Sequence, residues 1–271
     1  MSQYYNPKRT RNLFNPLSKT AFKLSRSKID LFLECPRCFY VDRRLGVGRP
    51  PGFPFNLNSA VDTLLKKEFD THRVRGEMHP LMKTYHIDAI RFEHKQIEKW
   101  RDPFNGISHL HGESNFEVYG AIDDVWINSK GELHIVDYKA TSKSDEVTLD
   151  AKWQDGYKRQ MEIYIWLFRQ NAFKVSSTGY FVYANALRDR AAFDKKLEFD
   201  VSIIPYKGSD EWIFGTLMRI RSILEKEEVP AASSGCDYCS YRNTAVETIQ
   251  QHVKQNAPKE KSVKKREGTL F

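Results

Sequence analysis

Long hydrophobic runs are missing from this sequence. No apolar stretch in its 271 residues approaches the ~18 residues of a membrane span, which excludes a helical membrane protein. Cysteines number only four, too few for a secreted disulfide scaffold. Residues Met1 to Thr20 lack an apolar core and a small-residue cleavage pattern, so no secretory signal is expected and cytoplasm is the default. No internal repeat is visible, and the composition does not suit a coiled coil. Acidic residues are absent from residues 1–28, which carry seven Lys/Arg. Of the +8 net charge, +7 sits in that segment and +4 in residues 251–271, leaving −3 for residues 29–250. The basic character thus belongs to the two ends, and basic arms suit contact with a polyanion or simple solubility.

What is present reads as a soluble mixed α/β chain, with 40% hydrophobic and 29% charged residues. We expect a flexible basic arm over 1–24, one domain over 25–250 and a disordered basic tail over 251–271. Ser25 can cap a helix from Arg26 to Glu34 that Pro36 ends, and Gly46 to Pro54 reads as a loop. Asn58 or Ser59 can cap a helix carrying Val61, Leu64, Leu65 and Phe69, and Ile87 to Trp100 reads as helical. Val118 to Trp126 alternates as a strand, and Asn128-Ser-Lys-Gly131 turns the chain into a second strand, Leu133 to Ala140. A helix over about 152–171 follows, with Trp153, Tyr157, Met161, Tyr164, Ile165 and Phe168 on one face. Strands at Val175–Tyr183 and Leu197–Ile204 and a last helix through Ile213, Leu217, Ile220 and Leu224 complete the pattern.

The most informative segment is Ile135-Val-Asp137-Tyr-Lys139. Alternate strand side chains share a face, so Asp137 and Lys139 point the same way. Asp123, followed by a second acid at Asp124, lies on the paired strand. Carboxylates brought together across a hairpin repel unless a cation neutralises them, and hard oxygen ligands suit Mg²⁺ or Mn²⁺. A lysine beside such a cation can orient water and stabilise charge on a phosphate. An acidic hairpin with one lysine is also commonly a mere solvated face. Gln160 and Tyr164 are four apart on the following helix and share a side of it.

Gly120-Ala-Ile-Asp123, Val136-Asp-Tyr-Lys139 and Gln160-x-x-x-Tyr164, in this order, resemble the PD-(D/E)XK nuclease superfamily. More narrowly they resemble its RecB-like branch, which includes the AddB nuclease domain and the CRISPR-associated RecB-like nucleases. The resemblance implies a restriction-endonuclease-like αβββαβ core with added helices and a cysteine-clamped metal subdomain. It also implies metal-dependent cleavage of DNA, as an exonuclease in repair, recombination or CRISPR-type processing. Asp123 and Asp137 would hold the metal with the backbone carbonyl of Tyr138, Lys139 would position or activate water, and Gln160 and Tyr164 would orient the site or the DNA. Relatives often carry a metal-binding His on the preceding helix in a Gly-x-x-x-His pattern. Here the stretch is Asn58-Ser-Ala-Val-Asp62, so Asp62 is either a replacement oxygen ligand or a surface acid. That departure leaves open an alternative, a catalytically inactive nucleic-acid-binding or scaffold protein on the same fold.

All four cysteines fall in two Cys-x-x-Cys pairs, Cys35/Cys38 and Cys236/Cys239, a strong metal-ligand pattern. If they share a metal they clamp the two ends of the domain together. RecB-like nucleases often hold a 4Fe–4S cluster with one cysteine before the core and three after it. This two-plus-two arrangement departs from that, with Cys38 as the fourth ligand, and its spacing suits 4Fe–4S or Zn²⁺. The terminal Leu270-Phe271 resembles the short motif by which bacterial replication proteins dock on the sliding clamp. His109 and His111 share a strand face as metal ligands or hydrogen-bonded neighbours. Trp153, Trp166 and Trp212 read as core residues.

Overall fold

The computed structural model describes residues 8–52 and 55–256. Eight helices and eight strands in two sheets are found among them. Strand β1 (Phe22–Ser25) leads into α1 (Arg26–Glu34) and α2 (Pro36–Arg43), and Pro36 at the first position of α2 separates the two helices. Helix α3 (Asn56–Val74) starts two residues before Asn58, so the expected cap Ser59 lies inside it. The short helix α4 (Pro80–Thr84), strand β2 (Ala89–Arg91) and helix α5 (Ile97–Arg101) come next. Then follow β3 (Ile107–His111), β4 (Phe116–Gly120), β5 (Asp124–Asn128) and β6 (Leu133–Thr141). Helix α6 (Asp155–Gln170), β7 (Thr178–Ala186), β8 (Phe199–Lys207), α7 (Glu211–Glu225) and α8 (Asp237–Asn256) complete the chain.

The main sheet has the order β2-β5-β6-β7-β8. Its first pairings, β2 with β5 and β5 with β6, are antiparallel; β6 and β7, joined through α6, are parallel. The succession α3-β2-β5-β6-α6-β7 is therefore the expected αβββαβ core. Strands β3 and β4 interrupt it and form a second sheet, in the order β1-β4-β3.

Alternation along β6 gives the sheet two buried faces. Ile135 joins a core formed with α1, α6 and α7, whereas Val136 and Tyr138 face a second core containing Leu65 and Phe69 of α3. Ile213, Leu217, Ile220 and Leu224 of α7 are all fully buried, each worth about 1.5–3 kcal/mol of transfer free energy.

Several expectations need correction. Ile87–Trp100 is not one helix but strand β2 and helix α5. Ala89 and Arg91 point inward and Ile90 outward, a period of two that the charge of Arg91 conceals in the sequence. Val118–Trp126 is two strands, because Ala121-Ile122-Asp123 carries the chain from one sheet to the other. Residues 8–24 are not a loose arm: Phe14 is buried in the core, β1 pairs with β4, and Arg9 and Lys28 both bind the fully buried Asp42. Residues 251–256 are the end of α8 rather than disordered. Trp153 is 58% exposed, while Trp166 and Trp212 do pack on the core. His111 bonds the Ser114 hydroxyl at 2.8 Å, and both His109 and His111 lie against Trp166. Leu270 and Phe271 fall outside the described residues. Among the described residues, no helix is long and apolar enough to cross a membrane.

Candidate active site and cysteine cluster

Strand β6 delivers Asp137 and Lys139 to the α6 face of the main sheet, where the Lys139 ammonium pairs with Asp137 Oδ2. Asp137 is fully buried, and Gln160 Nε2 donates to its Oδ1 at 2.7 Å. The same amide nitrogen donates to the Tyr164 hydroxyl at 3.3 Å. One turn of α6 thus braces the carboxylate, as the four-residue spacing predicts. Tyr164 sits against Gly120, where an added Cβ would come within 2.6 Å of its ring; the glycine at the end of β4 makes this approach possible. Lys139 also lies 4.5 Å from the Tyr157 ring centroid, a cation–π contact that turns Tyr157 toward the site.

Asp123 and Asp124 are consecutive but have opposite surroundings. Asp123 lies in the crossing between the sheets, its backbone carbonyl held by Arg101 Nε at 3.0 Å. Its side chain accepts the Tyr138 backbone N–H at 3.0 Å and pairs with Lys66 Nζ at 2.8 Å. Asp124, fully buried, turns to the other face of the sheet. There it meets Arg91, Arg101 Nη2 at 3.1 Å and the Tyr138 hydroxyl at 2.8 Å. Arg91 and Arg101 both also bind Asp70 of α3, so this buried network ties α3 and α5 to the sheet.

Lys66 was not singled out in the sequence. Its Nζ lies 2.9 Å from Asp62 Oδ2 as well as 2.8 Å from Asp123 Oδ1, so one ammonium bridges two carboxylates. The Asp62-x-x-x-Lys66 spacing on a helix was the available signal. Asp62, Asp123 and Asp137 form one electrostatic group: burial and the Asp123 charge raise the Asp62 carboxyl above its ordinary range. Burial lifts Asp137 to about 6, with Lys139 opposing and Asp123 adding to the rise. Burial opposes the charge on Lys66 and Lys139, but the neighbouring carboxylates prevail and hold both ammonium groups above their usual values. Asp62 and Asp123 share the Lys66 ammonium and Asp137 pairs with Lys139; carboxylate oxygens are the hard ligands a divalent ion takes, and these three are its candidates.

Beside this group opens a cleft of about 740 Å³. It is lined by Gln160 and Tyr157, by Cys236 and Tyr238, and by Arg26 and the exposed Trp153. Arg26 was also missed; it starts α1 and acts electrostatically on both Asp137 and Tyr164.

The four cysteines gather between α2 and the start of α8, with all four sulfurs within 4.8 Å of one another. Cys35, Cys236 and Cys239 are buried, and all four are unbridged. Burial opposes ionisation of Cys35, yet hydrogen bonds from the backbone at Cys38 and Ser233 pull its thiol down to about 6. Burial and the adjacent sulfurs push Cys239 up to about 12. Four sulfurs gathered this closely could hold one metal ion.

A family model of the PD-(D/E)XK nuclease superfamily matches residues 23–244. No curated protein matches the chain. A solved structure described as the crystal structure of SSO0001 is similar at 18% identity, covering 77% of this chain and 79% of that chain with a TM-score of 0.33.

Proposed function

The chain belongs to the PD-(D/E)XK nuclease superfamily, and from that premise we propose that it is a divalent-metal-dependent DNA nuclease of the RecB-like branch. The observation that carries this reading is the convergence of Asp123, Asp137 and Lys139 on one side of the sheet, braced by Gln160. Asp62, Asp123 and Asp137 would hold Mg²⁺ or Mn²⁺, with the Tyr138 carbonyl as a further ligand. Such an ion supplies polarisation of a phosphoryl oxygen and a more acidic bound water. Lys139, held in its ammonium form, orients water and stabilises charge on the phosphate rather than removing a proton. Gln160 fixes the rotamer of Asp137, and Tyr164 in turn fixes Gln160.

The DNA strand enters by the cleft, where Arg26 meets phosphate and Trp153 and Tyr157 offer faces to bases. The reading extends to exonuclease action in repair, recombination or CRISPR-type processing in the cytoplasm. A sliding-clamp contact through Leu270-Phe271 belongs to it as well, tested by clamp retention with and without the last five residues. The central experiment is degradation of labelled DNA with Mn²⁺, abolished by EDTA, on free and blocked ends. Intact DNA in every condition would favour a binding or scaffold role.

Two further outcomes are expected for metal binding. Below pH about 6 a proton competes for Asp137, so Mn²⁺ affinity by titration calorimetry should fall by up to about tenfold per pH unit. An affinity flat from pH 7 to 5 would remove Asp137 from the ligand set. Lys66→Met frees oxygens of Asp62 and Asp123 from their ammonium, and should tighten Mn²⁺ binding by about tenfold, about 1.4 kcal/mol. Weaker binding in that variant would instead make Lys66 an organiser of the site.

A further inference from the structure

We propose that the four cysteines hold a single tetrahedral Zn²⁺ ion and not the 4Fe–4S cluster that the RecB-like resemblance implies. Size separates the two. A zinc ion bound at ~2.3 Å by four thiolates sets every sulfur–sulfur edge of its tetrahedron at about 3.8 Å. Here Cys35 and Cys239 are 3.8 Å apart, and Cys38 lies 3.5 Å from both Cys236 and Cys239. No pair exceeds 4.8 Å.

A cubane cannot be placed in that space. Each of its cysteines binds a different iron, and the irons are themselves separated, so the cysteine sulfurs stand roughly 6 Å apart. Every edge would have to lengthen by well over an ångström. The backbone around the cluster is held at several points. Each pair opens a helix: the Cys35 carbonyl accepts from Phe39 N–H, and the Cys236 carbonyl from Ser240 N–H, both at 3.0 Å. Pro36 stiffens the first of these turns. The α2 side is further stitched to the segment leading toward α8, by Arg37 Nε to the Pro230 carbonyl at 3.0 Å and by the Tyr40 hydroxyl to the Lys226 carbonyl at 2.9 Å. These bonds fix the backbone positions from which the four sulfurs converge.

The surroundings also suit a tetrathiolate ion. Zinc with four thiolates carries net negative charge, and Arg49 lies against the cluster with Nη2 3.6 Å from Cys236 Sγ. Glu34 and the Tyr238 ring hold that guanidinium in place. The two-plus-two spacing fits as well: Cys38 is within 3.5 Å of two other sulfurs and is a full member of the tetrahedron. A zinc so held joins α2 to α8 beside the cleft that Cys236 lines. This inference does not depend on whether the chain cleaves DNA.

The test is metal analysis of the full-length protein, purified without oxygen from cells supplied with both iron and zinc. The expected result is one zinc per chain, no labile sulfide and no visible absorbance, with exchange to Co²⁺ producing the ligand-field spectrum of a tetrahedral tetrathiolate. Cys38→Ser should lower zinc content to near zero. If that variant is insoluble, the native protein's metal content and cobalt spectrum decide alone. Iron with labile sulfide, one iron without sulfide, or a fully stable protein free of metal would each overturn the proposal.

Discussion

Asp137→Ala is expected to lower Mn²⁺-dependent cleavage of a labelled oligonucleotide by on the order of a thousandfold or more, with the fold retained. Lys139→Ala should fall by a similar order, because its ammonium has no substitute at that position. Among the described residues the other lysine near these acids is Lys66, which is engaged by Asp62 and Asp123. The two variants should differ in metal binding. Loss of Asp137 removes a ligand and weakens Mn²⁺ binding, whereas loss of Lys139 relieves Asp137 of its competing cation and leaves binding intact or tighter. Circular dichroism and thermal melting check the fold. Full cleavage by a cleanly purified Lys139→Ala protein would defeat the nuclease reading.

Asp124→Ala should be the most destabilising of the single acid substitutions, by about 3–5 kcal/mol in urea unfolding. Its carboxylate is fully buried and receives Arg91, Arg101, the Tyr138 hydroxyl and the Trp126 indole N–H. Removing it leaves Arg91 buried beside a weakened set of partners, with the Tyr138 hydroxyl unsatisfied. Asp123→Ala, one residue earlier, should cost about 1 kcal/mol or less, since its ion pair with Lys66 is partly solvated. The pair of variants thus separates two roles along one dipeptide: Asp123 should lose metal binding and keep stability, and Asp124 the reverse. Equal unfolding midpoints for the two would contradict the network described for Asp124.

Much of the architecture was legible because it is periodic. The four apolar positions of α7 recur at helical spacing and all four are buried. The alternation along β6 correctly placed Asp137 and Lys139 on a common face. The 87–100 segment was misread because Arg91 is a charged residue used as a core residue, made tolerable only by Asp70 and Asp124 from distant parts of the chain. Trp153 was misread for the opposite reason. It has the apolar spacing of α6 but lies just before that helix, exposed and lining the cleft.

The residue types of the candidate site, the helix carrying Gln160 and Tyr164, and the pairing of the cysteines are all readable along the chain. These are local properties, set by the fixed periods of helix and strand. That Asp123 faces Lys66 while Asp124 turns away, that Asp62 joins the acidic group, and how closely the four sulfurs approach emerge only from the folded chain. Those outcomes depend on where a chain crosses between sheets and on how elements far apart in sequence pack together, which no local period encodes.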